Sequence, residues 1–164
     1  MKTDPVSLAR RILAEAGHFE VCRLRPQVNL GWLLRHLGLD WRRWSLGGLA
    51  GALVQIEGRW YVVTDSRQAA GRQRFTAAHE LKHFLADRPQ IHVFPPRASA
   101  DTQIEREADV FARELLMPDE SVSWLWRQGL RSPVEIARAL GVSSEAAGIR
   151  LAELGLGERR LWSN

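Results

Sequence analysis

Apolar positions divide the chain into a helical start, a short β-rich middle and a long helical remainder. Val6, Leu8, Ala9, Ile12, Leu13 and Ala16 recur at helical spacing over residues 4–16, and Gly17 ends the run. A second helix is predicted over residues 29–37, stopped by Gly38. From Ala50 the period shortens. Residues 52–56 and 60–64, joined through Glu57, Gly58 and Arg59, predict a β-hairpin, and residues 39–44 are a candidate third strand.

Beyond the hairpin the helical period returns. The polar, arginine-rich segment 65–73 leads into a helix carrying His79, after which Pro89, Pro95 and Pro96 break the chain into a loop containing His92 and Phe94. A second long helix is expected from about Asp101 to Leu116, ended by Met117-Pro118. Three shorter ones follow over residues 119–128, 132–140 and 143–154, punctuated by Gly129, Gly141 and Gly155. Ser132-Pro133-x-Glu135 is a capping box with proline at the first helical position, which marks one helix start sharply. There is no internal repeat and no low-complexity tract.

Composition narrows the class. At 164 residues the chain suits one domain, or a domain with a small helical appendage. Its 45% apolar and 26% charged residues are those of a soluble globular protein and argue against disorder. The net charge of +4 is almost all arginine, Lys2 and Lys82 being the only lysines. A basic surface favours acidic or nucleic-acid partners, but much of this arginine alternates with Glu and Asp as ordinary solvated helix faces. The single cysteine, Cys22, excludes an internal disulfide and reads as a small buried hydrophobe. His18 and His36, near helix ends, read as surface residues. The N-terminus leads into Arg10, Arg11 and Glu15 rather than an apolar signal core, and the longest uncharged apolar run, residues 46–56, is too short to span a bilayer. A cytoplasmic location without membrane contact is the expectation.

The chemistry concentrates in His79-Glu80-x-x-His83. Residues four apart share a helix face, so both imidazoles can reach one metal ion with Glu80 beside them, the ligand and base arrangement of a zinc hydrolase. A catalytic zinc needs a third protein ligand and an open position. The extended pattern that ends in a third histidine is excluded, because Ala86 and Pro89 stand where it requires Gly and His. Two sources remain open: His92 in the proline-rich loop, which no spacing supports, and the acidic helix Glu105-Arg106-Glu107-Ala108-Asp109. There Glu105 and Asp109 share a face, so Glu105 can ligate while Asp109 orients a ligand histidine. Taken alone, the same residues also read as a solvated acidic face pairing with Arg106 and Arg113. Glu107 points off the Glu105 face, towards the surface.

Two motifs in order carry a family resemblance. Arg72-x-Arg74-Phe75-Thr76-x-Ala78-His79-Glu80-x-x-His83, followed by Glu105-x-x-Ala108-x-x-Phe111-Ala112-x-x-Leu115-Leu116-Met117-Pro118, resembles the ImmA/IrrE family of bacterial and phage metallopeptidases. The likeness extends to the hairpin and to Ile136-Ala137-x-x-Leu140-Gly141-Val142-Ser143, covering most of the chain from about residue 28. It implies that His79, His83 and Glu105 bind zinc, that Glu80 is the general base, and that Asp109, where the family often has Asn, acts as the acceptor behind a ligand. Lys82 stands where the family commonly has Gly, which bears on local packing and charge. The expected fold is α+β: a zincin-like metallopeptidase domain over residues 1–118, with a short antiparallel sheet packed on the metal helix. A C-terminal helical segment, 119–164, resembles a helix-turn-helix over residues 136–156.

The function implied by the resemblance is a zinc-dependent endopeptidase that cleaves a helix-turn-helix repressor, relieving repression of stress-response or mobile-element genes. Such sheets in zinc peptidases also hold extended substrate on an edge strand. The alternative is a non-proteolytic regulator-binding or toxin-antitoxin partner on the same fold. Direct nucleic-acid binding is not expected, because the second helix of the C-terminal pair offers Ser144, Glu145, Arg150 and Glu153 rather than a basic stripe.

Overall fold

The computed structural model describes residues 4–87 and 102–156. Helix α1 spans Pro5–Glu15: Asp4 caps it by accepting from the Ser7 amide at 2.8 Å, Pro5 supplies the first-turn φ, and Leu8, Ala9, Ile12 and Leu13 form its buried stripe. Gly17, at φ 67°, ends that run and opens a single turn, α2, His18–Val21, which the hydrophobic pattern did not announce. Helix α3, Leu30–His36, is capped by the Asn29 side chain.

Three strands follow: β1 Leu39–Trp44, β2 Gly51–Ile56 and β3 Arg59–Asp65. β2 and β3 form the expected hairpin, closed by a two-residue turn in which Glu57 and Gly58 both take positive φ, 49° and 78°. The sheet is not wholly antiparallel, however. Its order is β1-β3-β2, and β1 runs parallel to β3, with Leu39 opposite Trp60 and Trp44 opposite Asp65. The reason lies in the link 45–50. The end of β1 and the start of β2 flank the same end of β3, so six residues cross two strand spacings, roughly 10 Å. Gly47 and Gly48, at φ 60° and 113°, make the bend.

The remaining elements are helical: α4 Ala70–Lys82, continued by a π-helical turn over His83–Asp87, then α5 Thr102–Leu116, α6 Asp119–Arg127, α7 Pro133–Leu140 and α8 Ser144–Glu153. The capping box at Ser132 and Glu135 is present in full. The loop predicted around Pro89, His92, Phe94 and Pro96 lies outside the described residues.

The core is continuous from α1 to α8. Phe111, Leu115, Leu116 and Met117 of α5 and its end share one buried cluster with Leu8, Ile12 and Leu13 of α1 and with Ile136, Leu140, Ala147 and Leu151 of α7 and α8. One charged group is built into this packing. The Arg150 guanidinium of α8 donates to the Met117 carbonyl at 2.9 Å and pairs with Glu114 and Asp119, while Arg10 of α1 reaches the same Glu114 at 3.2 Å and pairs with Glu120. Burial pushes the Glu114 carboxyl up, against the pull of Arg150 and Arg10. Cys22 is buried as expected, but His18 is not a surface residue: it is buried against α6, 3.1 Å from Ser121 Oγ. His36 does lie at the surface, stacked on Trp32. Among the described residues, no helix is long and apolar enough to cross a membrane.

Candidate metal centre

Helix α4 is held on three sides. Its buried face, including Thr76, Ala77, Ala78, Glu80 and Leu81, packs on the sheet and on α5. Near its start Gly71 meets the α7–α8 turn so closely that a Cβ there would lie 2.8 Å from the Val142 carbonyl carbon. Arg74, one turn on, is largely buried; its Nη2 donates to the Val28 carbonyl at 2.9 Å, and burial lowers its pKa. Ala108 of α5, fully buried, allows the two helices to approach closely.

That approach brings the sequence-selected groups together. One donor atom each from His79, His83 and Glu105 falls within 4.8 Å of the others. His79 Nε2 lies 3.1 Å from His83 Nε2 and 3.1 Å from Glu105 Oε2, and His83 Nε2 lies 3.5 Å from Glu105 Oε1. For a tetrahedral zinc with ligand bonds of 2.0–2.1 Å, ligand atoms sit about 3.3 Å apart. The three observed separations bracket that value. His79 Nδ1 is 2.9 Å from Asp109 Oδ1, so the ring proton belongs on Nδ1 and the Nε2 lone pair faces the other donors. Two imidazole lone pairs and a carboxylate facing one point repel unless a cation or proton lies between them, so the donor set suits a metal ion.

The electrostatics agree. Burial alone pulls the His79 imidazole down. The Asp109 hydrogen bond and the negative charges of Glu80, Asp109 and Glu105 outweigh it, and its pKa rises. Glu80 is buried, and its Oε2 has no hydrogen-bond partner among the described residues. Loss of solvent and the neighbouring Glu105 push its carboxyl up to about 7, against the pull of His79. A carboxyl near neutrality beside a group of metal donors is suited to accept and return protons.

Other neighbours were not visible as motifs. Gly51, at the start of edge strand β2, is so close to α4 that a Cβ would fall 2.3 Å from Thr76 Cγ2 and 3.5 Å from Glu80 Oε1. The β2 backbone therefore runs beside the Glu80 carboxylate. A glycine opening a β-rich run was the only sequence signal. Glu107 does not project into solvent; it lies 3.6 Å from the Lys82 ammonium, whose side chain is 3% exposed. Lys82 thus crosses from α4 to α5. Trp60 of β3 meets Phe84 edge to face at 5.8 Å, closing the far end of the helix.

No curated protein matches the chain. Residues 35–152, well over half of the chain, match the family model Peptidase_M78, IrrE N-terminal-like domain, and the chain therefore belongs to the ImmA/IrrE family.

Proposed function

We propose that the protein is a metallo-endopeptidase whose centre is His79, His83 and Glu105, with Glu80 as general base and zinc as the metal. The observation that carries the reading is the convergence of the three donors beside the buried Glu80 carboxylate, whose Oε2 has no partner among the described residues. Bound there, a zinc ion supplies Lewis-acid chemistry, lowering the pKa of a water towards ~7 and polarising a carbonyl. His79, His83 and Glu105 hold it, and Asp109 keeps His79 in the ligating tautomer. Glu80 takes the proton from the attacking water and returns it to the leaving amine. The β2 main chain, free of a side chain at Gly51, aligns an extended substrate beside Glu80 by main-chain hydrogen bonds.

The substrate on this reading is a helix-turn-helix repressor in the cytoplasm, and cleavage relieves repression of stress-response or mobile-element genes. The α7–α8 pair, whose sequence resembles a helix-turn-helix, acts on this reading as a packing and partner-binding element. Arg150, its most central cation, is turned inward to Glu114 and Asp119 and is not available to phosphate. The test pairs two variants on a neighbouring repressor. Glu80→Gln is expected to retain stoichiometric zinc and lose cleavage by at least about 100-fold, whereas His79→Ala loses both. Undiminished regulation by Glu80→Gln would overturn the peptidase reading in favour of a non-proteolytic binding protein.

A further inference from the structure

The sheet has a second edge that the metal centre does not use. β2 lies beside α4, whereas β1 forms the opposite border; among the described residues β3 is the strand it pairs with, and α3 packs against it. The Trp44 carbonyl accepts from the Ser66 amide at 2.9 Å, which fixes the phase of the parallel ladder. Residues 40, 42 and 44 turn their main-chain groups towards β3, and Trp41 and Arg43 turn theirs outward. Among the described residues no strand pairs with these outward groups.

The β1 side chains are unusual for a sheet border. Arg42 and Arg43 are both exposed; Arg42 lies over the Tyr61 ring at 5.7 Å and Arg43 over the Trp41 ring at 5.0 Å. The Trp41 indole is itself tied to Thr64 Oγ1 at 3.0 Å, so Arg43 stacks on an anchored surface. Trp44 is 46% exposed beside them. Residues 22–78 hold nine arginines against three carboxylates, Asp40, Glu57 and Asp65, of which Asp65 is taken by Arg67 at 2.8 Å. Among the described residues Arg42 and Arg43 form no ion pair, so neither charge is already matched by a carboxylate of this chain, in contrast to Arg10, Arg113 and Arg150.

We propose that the β1 border is a docking site for an acidic, extended segment of a partner protein, which adds to the sheet as a fourth strand beside β1. Neighbouring strand residues project to opposite faces, so Arg42 and Arg43 together select two consecutive acidic residues, one for each face. Main-chain bonds to Trp41 and Arg43 supply affinity, and the arginines supply selectivity. A second copy of this chain is disfavoured, because pairing β1 with itself sets arginine against arginine. Single-stranded nucleic acid fits less well, since it needs cations and rings along one face and here the two arginines are divided between faces. The site does not depend on the metal centre, and it can be tested with a chelator present.

The test is fluorescence anisotropy on the full chain in chelator, with a fluorescein-labelled peptide of sequence Thr-Val-Asp-Glu-Val-Thr-Val. Companion probes are its Asn-Gln counterpart, a version N-methylated on alternate amides, and oligothymidylate. Binding of the acidic peptide is expected. It should weaken at least 10-fold in Arg42→Glu/Arg43→Glu, with the Asn-Gln probe and with the N-methylated probe. It should be unchanged in Arg127→Glu/Arg138→Glu, which alters the net charge equally on distant helices. Circular dichroism checks that both variants are folded. Absence of binding would leave the arginines as a guard against edge-to-edge pairing and overturn the proposal. Equal binding of the N-methylated probe, or tighter binding of oligothymidylate, would overturn it as well.

Discussion

Asp109 meets the candidate centre at His79 Nδ1, the ring atom turned away from the other donors, so its loss separates ligand orientation from ligation. Asp109→Ala is expected to weaken zinc affinity about 10- to 100-fold without unfolding the chain, measured by competition with a chromophoric chelator. His18 makes a different residue-scale prediction. Burial lowers its pKa from 6.5, while Glu120 and Glu20 oppose the shift. The unfolded chain therefore takes up a proton that the folded chain resists, and this part of the stability, full above about pH 6.5, is lost as the pH falls below it. Urea midpoints between about pH 7.5 and 5.5 should fall more steeply in wild type than in His18→Gln. At this scale the sequence was most legible where helical periodicity alone sets geometry: His79 with His83, and Glu105 with Asp109. Gly51 beside Glu80 and Lys82 against Glu107 were hidden, because each depends on how far two separate elements approach.

Among the elements, helix starts were readable wherever a side chain caps them, as Asp4, Asn29, Ser132 and Ser143 do. The direction of β1 was not, since alternation within a strand says nothing about which neighbour it pairs with; the link 45–50 decides that by crossing to the far border. The π-helical continuation of α4 after Lys82 left no mark on the apolar pattern either. Arg150 shows how an element is locked in place. On α8 it reads as a surface cation, yet it satisfies the Met117 carbonyl and two carboxylates. Arg150→Ala leaves Glu114 buried with less compensation and is expected to cost about 3–5 kcal/mol, the range for breaking a buried pair from one side. Chemical denaturation of the metal-free protein measures it. An unchanged midpoint would mean that Arg10 alone suffices for Glu114.

For the whole molecule, the charge is distributed less evenly than its total suggests. Residues 22–78 carry nine arginines against three carboxylates, while Arg10, Arg113 and Arg150 are held in ion pairs with the carboxylates of α5, α6 and α8. A net charge cannot reveal such a division, which is why the sequence pointed only weakly to an acidic partner. The family was legible because its two motifs lie on helices that must meet for either to have meaning, and residues 35–152 match as one unit.

The missing side chain at Gly71 has a mechanical consequence. With only a hydrogen at that position, the first turn of α4 rests directly on the backbone at Val142–Ser143, and the C-terminal helices serve it as a thrust bearing. Gly71→Ala keeps all of His79, Glu80, His83, Glu105 and Asp109. It is nevertheless expected to hold zinc at least about 10-fold more weakly in a chelator titration, the order of loss for disturbing the support of a ligand. Possession of the motif and possession of the centre would then be separate properties, joined by one atom's absence.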